Sequence, residues 1–298
     1  MAQASAVLTY AAIGNREDLT DVISMITRHD TPLYAGLEKV SAKATLHEWQ
    51  TDTLSTGATN AAIEGADYAF AYPGYRTRVN NSTQIFSKTV EVSETQRAVT
   101  TAGLDDEFAY QLEKRMKEIA TDIEVALITA TGNTGASGTA RSLKGILSFI
   151  STNVETGTGT GDEALTESMY NDMLQTIWAA GGRPDTTYVN GFQKRKISGF
   201  SSNNTRYLEM NGEGELKNAI AVYESDFGRQ RIELDSFMTA SVVACLQKDM
   251  WKIAQLRPVG VKDVATVGDA KRGALVGELT LEARNQASSG KITGLTTS

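Results

Sequence analysis

Hydrophobic residues recur with helical spacing between residues 103 and 130 and predict the longest helix of the chain. The apolar positions, at steps of three or four, are Leu104, Phe108, Leu112, Met116, Ile119, Ile123 and Leu127. Three acids at 105–107 occupy the first turn, at the positive end of the helix dipole, and Gly132 follows as a stop. At 1.5 Å per residue such a helix is roughly 40 Å long, so we interpret it as the spine of the fold.

Shorter helices and strands alternate through the second half of the chain. Thr166 is a suitable N-cap for an amphipathic helix that ends at Gly181 and Gly182, and a short basic helix is expected at 192–198. Strands are predicted at residues 187–189, 231–236, 242–246, 251–256 and 275–284. We take the last of these as the final strand, whose one face carries Leu275, Leu279, Leu281 and Ala283.

The first hundred residues lack the apolar content of a self-contained domain. Residues 1–44 carry few bulky apolar side chains, so this segment must lie on something else and is interpreted as an arm. Strand-like runs at 45–51 and 75–92 flank a polar stretch at 55–69, which predicts a long two-stranded ribbon. Isolated ribbons are marginal in water, so we expect a neighbouring molecule to support this one. The alternative is a ribbon folded back on its own domain.

Composition places the chain among folded proteins and removes several classes of partner. Of its 298 residues, 41% are hydrophobic, which is enough for a sizeable core and about two domains. The net charge of −7 gives no overall attraction for nucleic acid or anionic lipid. The single cysteine, Cys245, excludes an intramolecular disulfide. The sequence has no basic signal-peptide start and no apolar run near the ~18 residues of a membrane helix, so we expect a soluble intracellular product without membrane contact.

The residue types that carry catalysis occur in no enzyme motif. Neither His29 nor His47 has a cysteine or histidine at metal-ligand spacing. Cys245 lies in an apolar stretch, where a thiol packs rather than reacts. Glycine-rich stretches at 132–138 and 156–161 lack the Gly-Lys-Ser/Thr signature of a phosphate loop. We therefore predict a non-enzyme without catalytic, cofactor-binding or metal-binding residues.

Five sequence blocks, taken in order, carry a family resemblance. They are QIFSKTVEVSETQRAV (84–99), EFAYQLEKRMKEIATDIEVALITATGN (107–133), ARSLKGIL (140–147), GGRPDTTYVNGFQKRKISGF (181–200) and GALVGELTLEARN (273–285). Together with the order of arm, ribbon, spine helix and α/β unit, they resemble the major capsid proteins of tailed bacteriophages. These proteins have the Hong Kong 97-type fold, which encapsulins share.

The resemblance implies a fold, a domain layout and a function. It implies an α+β fold with an N-terminal arm at 1–44, an extended β-hairpin loop with flanking strands at 45–100, a peripheral domain at 101–155 and 262–298 around the spine helix, and an α/β axial domain at 156–261. The implied function is self-assembly into hexamers and pentamers that form the icosahedral shell around a double-stranded DNA genome. Its implied location is the virion, after assembly in the bacterial host cytoplasm.

Contacts between subunits are then expected on the ribbon and on the basic helix. The residues assigned to such contacts are Trp49, Tyr68, Phe70, Tyr72, Arg76, Arg78, Lys194 and Arg195. For the basic run at 194–196, a solvated helix face is an equally open interpretation, and phosphate binding is disfavoured.

The resemblance also implies partners. These are a portal protein, a scaffolding protein, a decoration protein and packaged DNA bound without sequence specificity. Because the sequence starts directly on the arm, we expect the scaffold to be a separate protein. Some relatives join neighbours through a bond between a loop lysine and an asparagine. This chain has no lysine between Lys43 and Lys88, which argues against such crosslinking.

Two other functions stay open at the level of sequence. One is an encapsulin-like nanocompartment shell with the same fold and an enzyme cargo, which nucleic acid inside the particle would exclude. The other is a β-rich soluble enzyme with a carboxylate site, which a small discrete oligomer with a closed pocket would favour.

Overall fold

The computed structural model describes residues 30–55, 57–65, 67, 70, 74–99, 106–157, 163–200, 222–266 and 268–297. Most of the predicted arm lies outside this set, as do Tyr68 and Tyr72 of the predicted contact residues. The described part mixes helices and strands, as expected for the predicted α+β class.

Six α-helices lie within the described residues. They are α1 (Pro32–Gly36), α2 (Glu94–Ala98), α3 (Glu107–Thr129), α4 (Ile146–Phe149), α5 (Glu167–Ala179) and α6 (Gly191–Ser198). Single 3-10 turns cover Lys248–Met250 and Gln286–Ser288. The predicted N-cap of α5 is confirmed, since the Thr166 hydroxyl accepts a hydrogen bond from Met169 N at 3.3 Å.

The same residues contain fourteen strands. They are β1 (Glu38–Ser41), β2 (Leu46–Thr51), β3 (Thr77–Ser82), β4 (Gln84–Ser93), β5 (Thr131–Asn133), β6 (Ser142–Lys144), β7 (Val154–Thr156), β8 (Thr186–Val189), β9 (Val222–Ser225), β10 (Gly228–Leu234), β11 (Val243–Leu246), β12 (Trp251–Asp263), β13 (Ala270–Ala283) and β14 (Gly290–Thr293).

Two larger sheets organise these strands. A four-stranded sheet has the order β1-β12-β13-β4, and a six-stranded sheet has the order β7-β14-β11-β8-β10-β9. Strand β1 runs parallel to β12, whereas β12, β13 and β4 pair antiparallel. The pairs β2-β3 and β5-β6 form two separate hairpins.

Helix α3 is the predicted spine. Its N-cap is Asp106, whose carboxylate accepts a hydrogen bond from Phe108 N at 3.0 Å. Ile119, Ile123 and Leu127 are buried, and each contributes about 1.5–3 kcal/mol of burial free energy. The predicted apolar face is not buried along its whole length, because Met116 is 50% exposed.

The end of α3 differs from the prediction. The helix stops at Thr129 and its cap is Ala130, not Gly132. Gly132 lies in β5 with φ +83°, a conformation that favours glycine.

The predicted second strand of the ribbon is two strands. The run at 75–92 divides at Thr83, so that β3 pairs with β2 while β4 pairs with β13, nearly 190 residues away along the chain. The predicted final strand is also not the last one, because β14 follows it and joins the other sheet. Both differences reflect long-range pairing, which local patterns do not encode.

The two sheets divide the chain differently from the predicted segments. Strand β12 lies mostly within 156–261, the predicted axial segment, yet it pairs in the four-stranded sheet. Strand β14 lies within 262–298, the predicted peripheral segment, yet it pairs in the six-stranded sheet. The chain therefore crosses between the sheets before β12 and again after β13.

One hydrophobic core continues from the four-stranded sheet to the six-stranded sheet. It joins the buried faces of α3 and α4 to β12 and β13, and it includes Tyr188 of β8 and Leu246 of β11. Trp251, at the start of β12, is completely buried there. A second core lies between α5, α6 and the six-stranded sheet. The two sheets thus share packed side chains.

Candidate intersubunit surface

Residues 52–76, here called the extended loop, follow the paired part of the hairpin β2-β3, and those that the structure describes have little cover from their own chain. Hairpin pairing ends at the pair Thr51 and Thr77, whose hydroxyl oxygens are 2.6 Å apart. Beyond it, large apolar side chains are almost fully exposed, namely Leu54 (100%), Ile63 (84%), Phe70 (98%) and Tyr75 (85%). Exposed apolar side chains grouped on one segment are typical of a protein contact surface.

The base of this loop is fixed on its own chain. Trp49 Nε1 donates a hydrogen bond to the Ala283 carbonyl oxygen at 2.8 Å, and its ring lies 6.1 Å from that of Phe149. Asn81 donates to the carbonyl oxygens of Leu281 at 2.8 Å and of Lys144 at 3.1 Å. The ribbon therefore folds back on its own domain at the base and leaves it beyond Thr51.

A side-chain hydrogen bond adds to the anchoring of the base. His47 Nε2 lies 3.0 Å from Glu282 Oε2 on strand β13. Burial raises the pKa of Glu282, but Arg284 and His47 outweigh this effect and hold that pKa below its usual value. The carboxylate is therefore charged at neutral pH and available to the histidine.

The predicted contact residues on the ribbon lie in different surroundings. Phe70 is exposed on the extended loop, whereas Trp49 packs against its own core. Arg76 lies 3.7 Å from Asp52, and Arg78 lies 3.2 Å from Glu48, so both arginines pair with acids across the hairpin. These exposed pairs are worth little to stability, and the guanidinium groups remain accessible to another molecule.

The two predicted basic contact residues lie on α6, on the other sheet. Lys194 Nζ donates to the Ile232 carbonyl oxygen at 2.9 Å, and burial lowers the pKa of this lysine although Glu233 acts in the opposite direction. Arg195 is exposed. The structure therefore does not bring these residues together with the ribbon residues. An intersubunit role for any of the eight stays a prediction.

Sequence reasoning missed a buried ionic cluster beneath the loop base. Glu278 of β13 is buried and accepts hydrogen bonds from Thr83 Oγ1 at 2.7 Å and from Arg141 Nη2 at 2.9 Å. Arg257 of β12 donates to its other oxygen at 3.0 Å. The cluster joins β12, β13, the junction between β3 and β4, and the β5-β6 hairpin. The only indication of this cluster in the sequence is an acidic residue, Glu278, on the face of the predicted final strand that is opposite to its leucines.

We expect Glu278→Gln to lower the free energy of unfolding by about 2 kcal/mol, because two arginines lose a buried charged acceptor. Urea unfolding of the unassembled chain measures the change. Glu91→Gln is the matched control on β4, since Glu91 pairs with Arg272 at 2.6 Å but is exposed, and its change should stay under about 0.5 kcal/mol. Equal losses in the two variants would contradict the buried role of Glu278.

The described residues offer little for catalysis or metal binding. Burial raises the pKa of the Cys245 thiol to about 12, which keeps it protonated and unreactive at neutral pH. No group of three or more His, Cys, Asp or Glu side chains in this part of the chain could hold a metal ion. No helix in it has the length and apolar content to cross a membrane.

Comparison with known sequences matches this chain to major capsid proteins. The profile of the SU10 major capsid protein family matches residues 6–296. The major capsid protein of Escherichia phage Phieco32 is 33% identical over 135 residues, which are 45% of this chain and 38% of that protein. The match thus spans well under half the length of that relative.

Solved structures show the same fold. The capsid asymmetric unit of Cyanophage A-1(L) superposes with a TM-score of 0.73 at 15% identity and covers 97% of this chain and 98% of its own. The capsid of a native GTA particle gives a TM-score of 0.72 at 13% identity, covering 99% and 100% of the two chains. The SrpI encapsulin of Synechococcus elongatus PCC 7942 gives 0.59 at 9% identity, covering 96% and 94%. The fold is therefore of the predicted Hong Kong 97 type.

Proposed function

The chain belongs to the SU10 major capsid protein family, and from this premise we propose that it is the subunit of an icosahedral phage shell. In this proposal it self-assembles into hexamers and pentamers that enclose double-stranded DNA in the virion, after assembly in the cytoplasm of the bacterial host. It acts as a structural protein and catalyses no reaction.

One structural observation supports this proposal independently of family membership. The extended loop carries almost fully exposed apolar side chains at its distal part, while its base is held by hydrogen bonds and ring contacts to β13 and α4. Exposure of so many apolar side chains to water is unfavourable, and it is typical of a surface that another molecule covers. A neighbouring copy of the same chain provides that surface at every position of a closed symmetric assembly.

The proposed partners follow from the same assembly. They are other copies of the chain, a portal protein, a separate scaffolding protein, a decoration protein and the packaged DNA. A net charge of −7 per subunit supports a wall that does not bind DNA tightly or by sequence. Domain boundaries drawn by sheet membership would assign β12 and β13 to the peripheral domain and β14 to the axial domain.

An encapsulin-like nanocompartment is the second candidate function. The similarity of fold to the SrpI encapsulin supports it, because a shell around DNA and a shell around an enzyme use the same subunit architecture. Family membership favours the phage shell. The contents of the particle separate the two, since packaged nucleic acid is expected only for the first.

Electron microscopy and native mass spectrometry of the expressed chain test the proposal. We expect closed shells, or hexamer and pentamer rings, either from the chain alone or after co-expression with its scaffolding protein. A chain that stays monomeric or dimeric in both preparations would contradict the shell function. Particles that contain a protein cargo and no nucleic acid, when recovered from infected cells, would favour the nanocompartment instead.

A further inference from the structure

Two buried carboxyl groups meet where α1, α3 and the six-stranded sheet converge. Glu124 of α3 is completely buried, and its oxygens accept hydrogen bonds from Leu33 N at 2.8 Å and Tyr34 N at 2.7 Å. Asp235, directly after β10, is also completely buried and accepts from Phe237 N at 2.8 Å. The two carboxyl groups lie within hydrogen-bonding reach of each other.

One oxygen of this pair lacks a donor. Asp235 Oδ2 is buried without a hydrogen-bond partner among the described residues, and so is the hydroxyl group of Tyr188 nearby. Two adjacent carboxylates cannot both remain charged in a dry site without a large electrostatic cost. A single proton on Glu124 would remove the repulsion and would also give Asp235 Oδ2 the donor that it lacks.

The surroundings offer little positive charge to replace that proton. The other titratable groups around the pair, from the elements packed against it, are Tyr34, Lys39, Asp185, Tyr188, Glu233 and Lys248. Lys248 Nζ lies 3.4 Å from Glu233 Oε1 and is therefore engaged with a different acid. Acidic side chains therefore outnumber basic ones around the pair.

We infer that Glu124 and Asp235 share one proton, and that loss of this proton as the pH rises loosens the attachment of residues 32–36 to α3. Helix α1 is the element that gives way, because it has only five residues and Leu33 is its one buried side chain. Glu124 and Asp235 belong to the long helix and to a packed sheet, which cannot separate without exposing the core.

The direction of the pH dependence follows from burial. Burial, the largest effect, raises the pKa of Glu124 from its usual 4.5 to about 8, with Asp235 acting in the same direction and the amides of Leu33 and Tyr34 opposing it. A carboxyl group whose pKa is raised by folding contributes stability in full below its unfolded pKa. That contribution is lost as the pH rises through its folded pKa. The attachment should therefore be strongest near pH 5, weaken progressively as the pH rises toward about 8, and change little above that.

Hydrogen–deuterium exchange of the full-length chain tests this inference. The rates for residues 31–37 are measured between pH 5 and pH 10 and corrected for intrinsic exchange. We expect the protection of the Leu33 and Tyr34 amides to fall by up to about tenfold for each pH unit as the pH rises toward 8, as for the loss of one proton, and to level off above it. A wild-type protection that does not change with pH would overturn the inference.

Two variants test whether the shared proton, and not a general loosening of the fold at high pH, causes the loss of protection. Glu124→Gln removes the titratable group, so its protection should be independent of pH, although it keeps only one of the two oxygens that accept from Leu33 N and Tyr34 N and should therefore be less protected overall. Asp235→Asn removes the neighbouring charge and should also keep the arm protected at pH 9, which provides the test if the first variant does not fold. Glu113→Gln, on the exposed face of α3, is the control and should behave as wild type. A pH profile in both folded variants that matches wild type would exclude the pair as the cause.

Discussion

Replacing residues 55–69 by a short Gly-Ser linker is expected to abolish the formation of closed particles while the isolated subunit stays folded. The deletion removes most of the extended loop and leaves the strand pair of the hairpin in place. Because Thr51 and Thr77 are already paired, the shortened loop closes without strain on the anchored base. The removed residues that the structure describes are exposed, so the free energy of unfolding should change by less than about 0.5 kcal/mol. Electron microscopy of particles and urea unfolding of the subunit measure the two effects.

A second variant tests whether assembly depends on the length of the loop or on its apolar side chains. Leu54, Ile63 and Phe70 are changed together to serine, which keeps the length of the loop and removes exposed apolar surface. We expect this variant to assemble poorly as well, since the contacts of the loop supply the free energy of association. Normal shells from the deletion variant would mean that the loop is not an intersubunit clamp.

Gly145→Ala is expected to destabilise the subunit by about 3 kcal/mol or to prevent folding, through overpacking against backbone. Gly145 lies at the end of the spine helix, where its N–H donates to the Ala130 carbonyl oxygen at 2.7 Å. An added Cβ would lie 2.8–2.9 Å from the carbonyl oxygens of Ala126, Leu127 and Ile128, which cannot move without distorting α3. The backbone of Gly145 is extended (φ −84°), so the cost is steric contact and not the dihedral angle.

The urea midpoint of the unassembled chain measures this loss, and Gly260→Ala is the matched control. Gly260 lies in β12 with open space around the position of an added Cβ, so its substitution should shift stability by no more than about 0.5 kcal/mol. If both variants unfold at the same urea concentration as wild type, the close approach at Gly145 is not a constraint on the fold.

The elements predicted well from sequence are those fixed by neighbouring residues. The spacing of Ile119, Ile123 and Leu127 and the capping side chain of Thr166 determine α3 and the start of α5 locally, so both helices were predictable. Strand partners are different, because β4 pairs with β13 through contacts nearly 190 residues apart along the chain. The pattern therefore predicts that 75–92 is extended but not that it divides at Thr83.

The contact residues show the same limit. The exposure of Phe70 was predictable, because an aromatic side chain in a polar stretch has few local partners, and its contact role stays a prediction. Trp49 looked the same in sequence, yet its indole N–H meets a carbonyl oxygen of β13, 234 residues away. Glu124 and Asp235 carry no signal at all, since each is an ordinary acid until the fold brings Leu33, Tyr34 and the other carboxyl group to it.

The completely buried Cys245 has a consequence for labelling. Its thiol is the only one in the chain, and its raised pKa keeps it silent toward maleimides and disulfide reagents while the protein is folded. A cysteine introduced at Phe70 would then be the single reactive group of each subunit. Fluorophores or spin labels could be attached to the extended loop alone, and the distances between the labelled loops of neighbouring subunits could be followed while particles form.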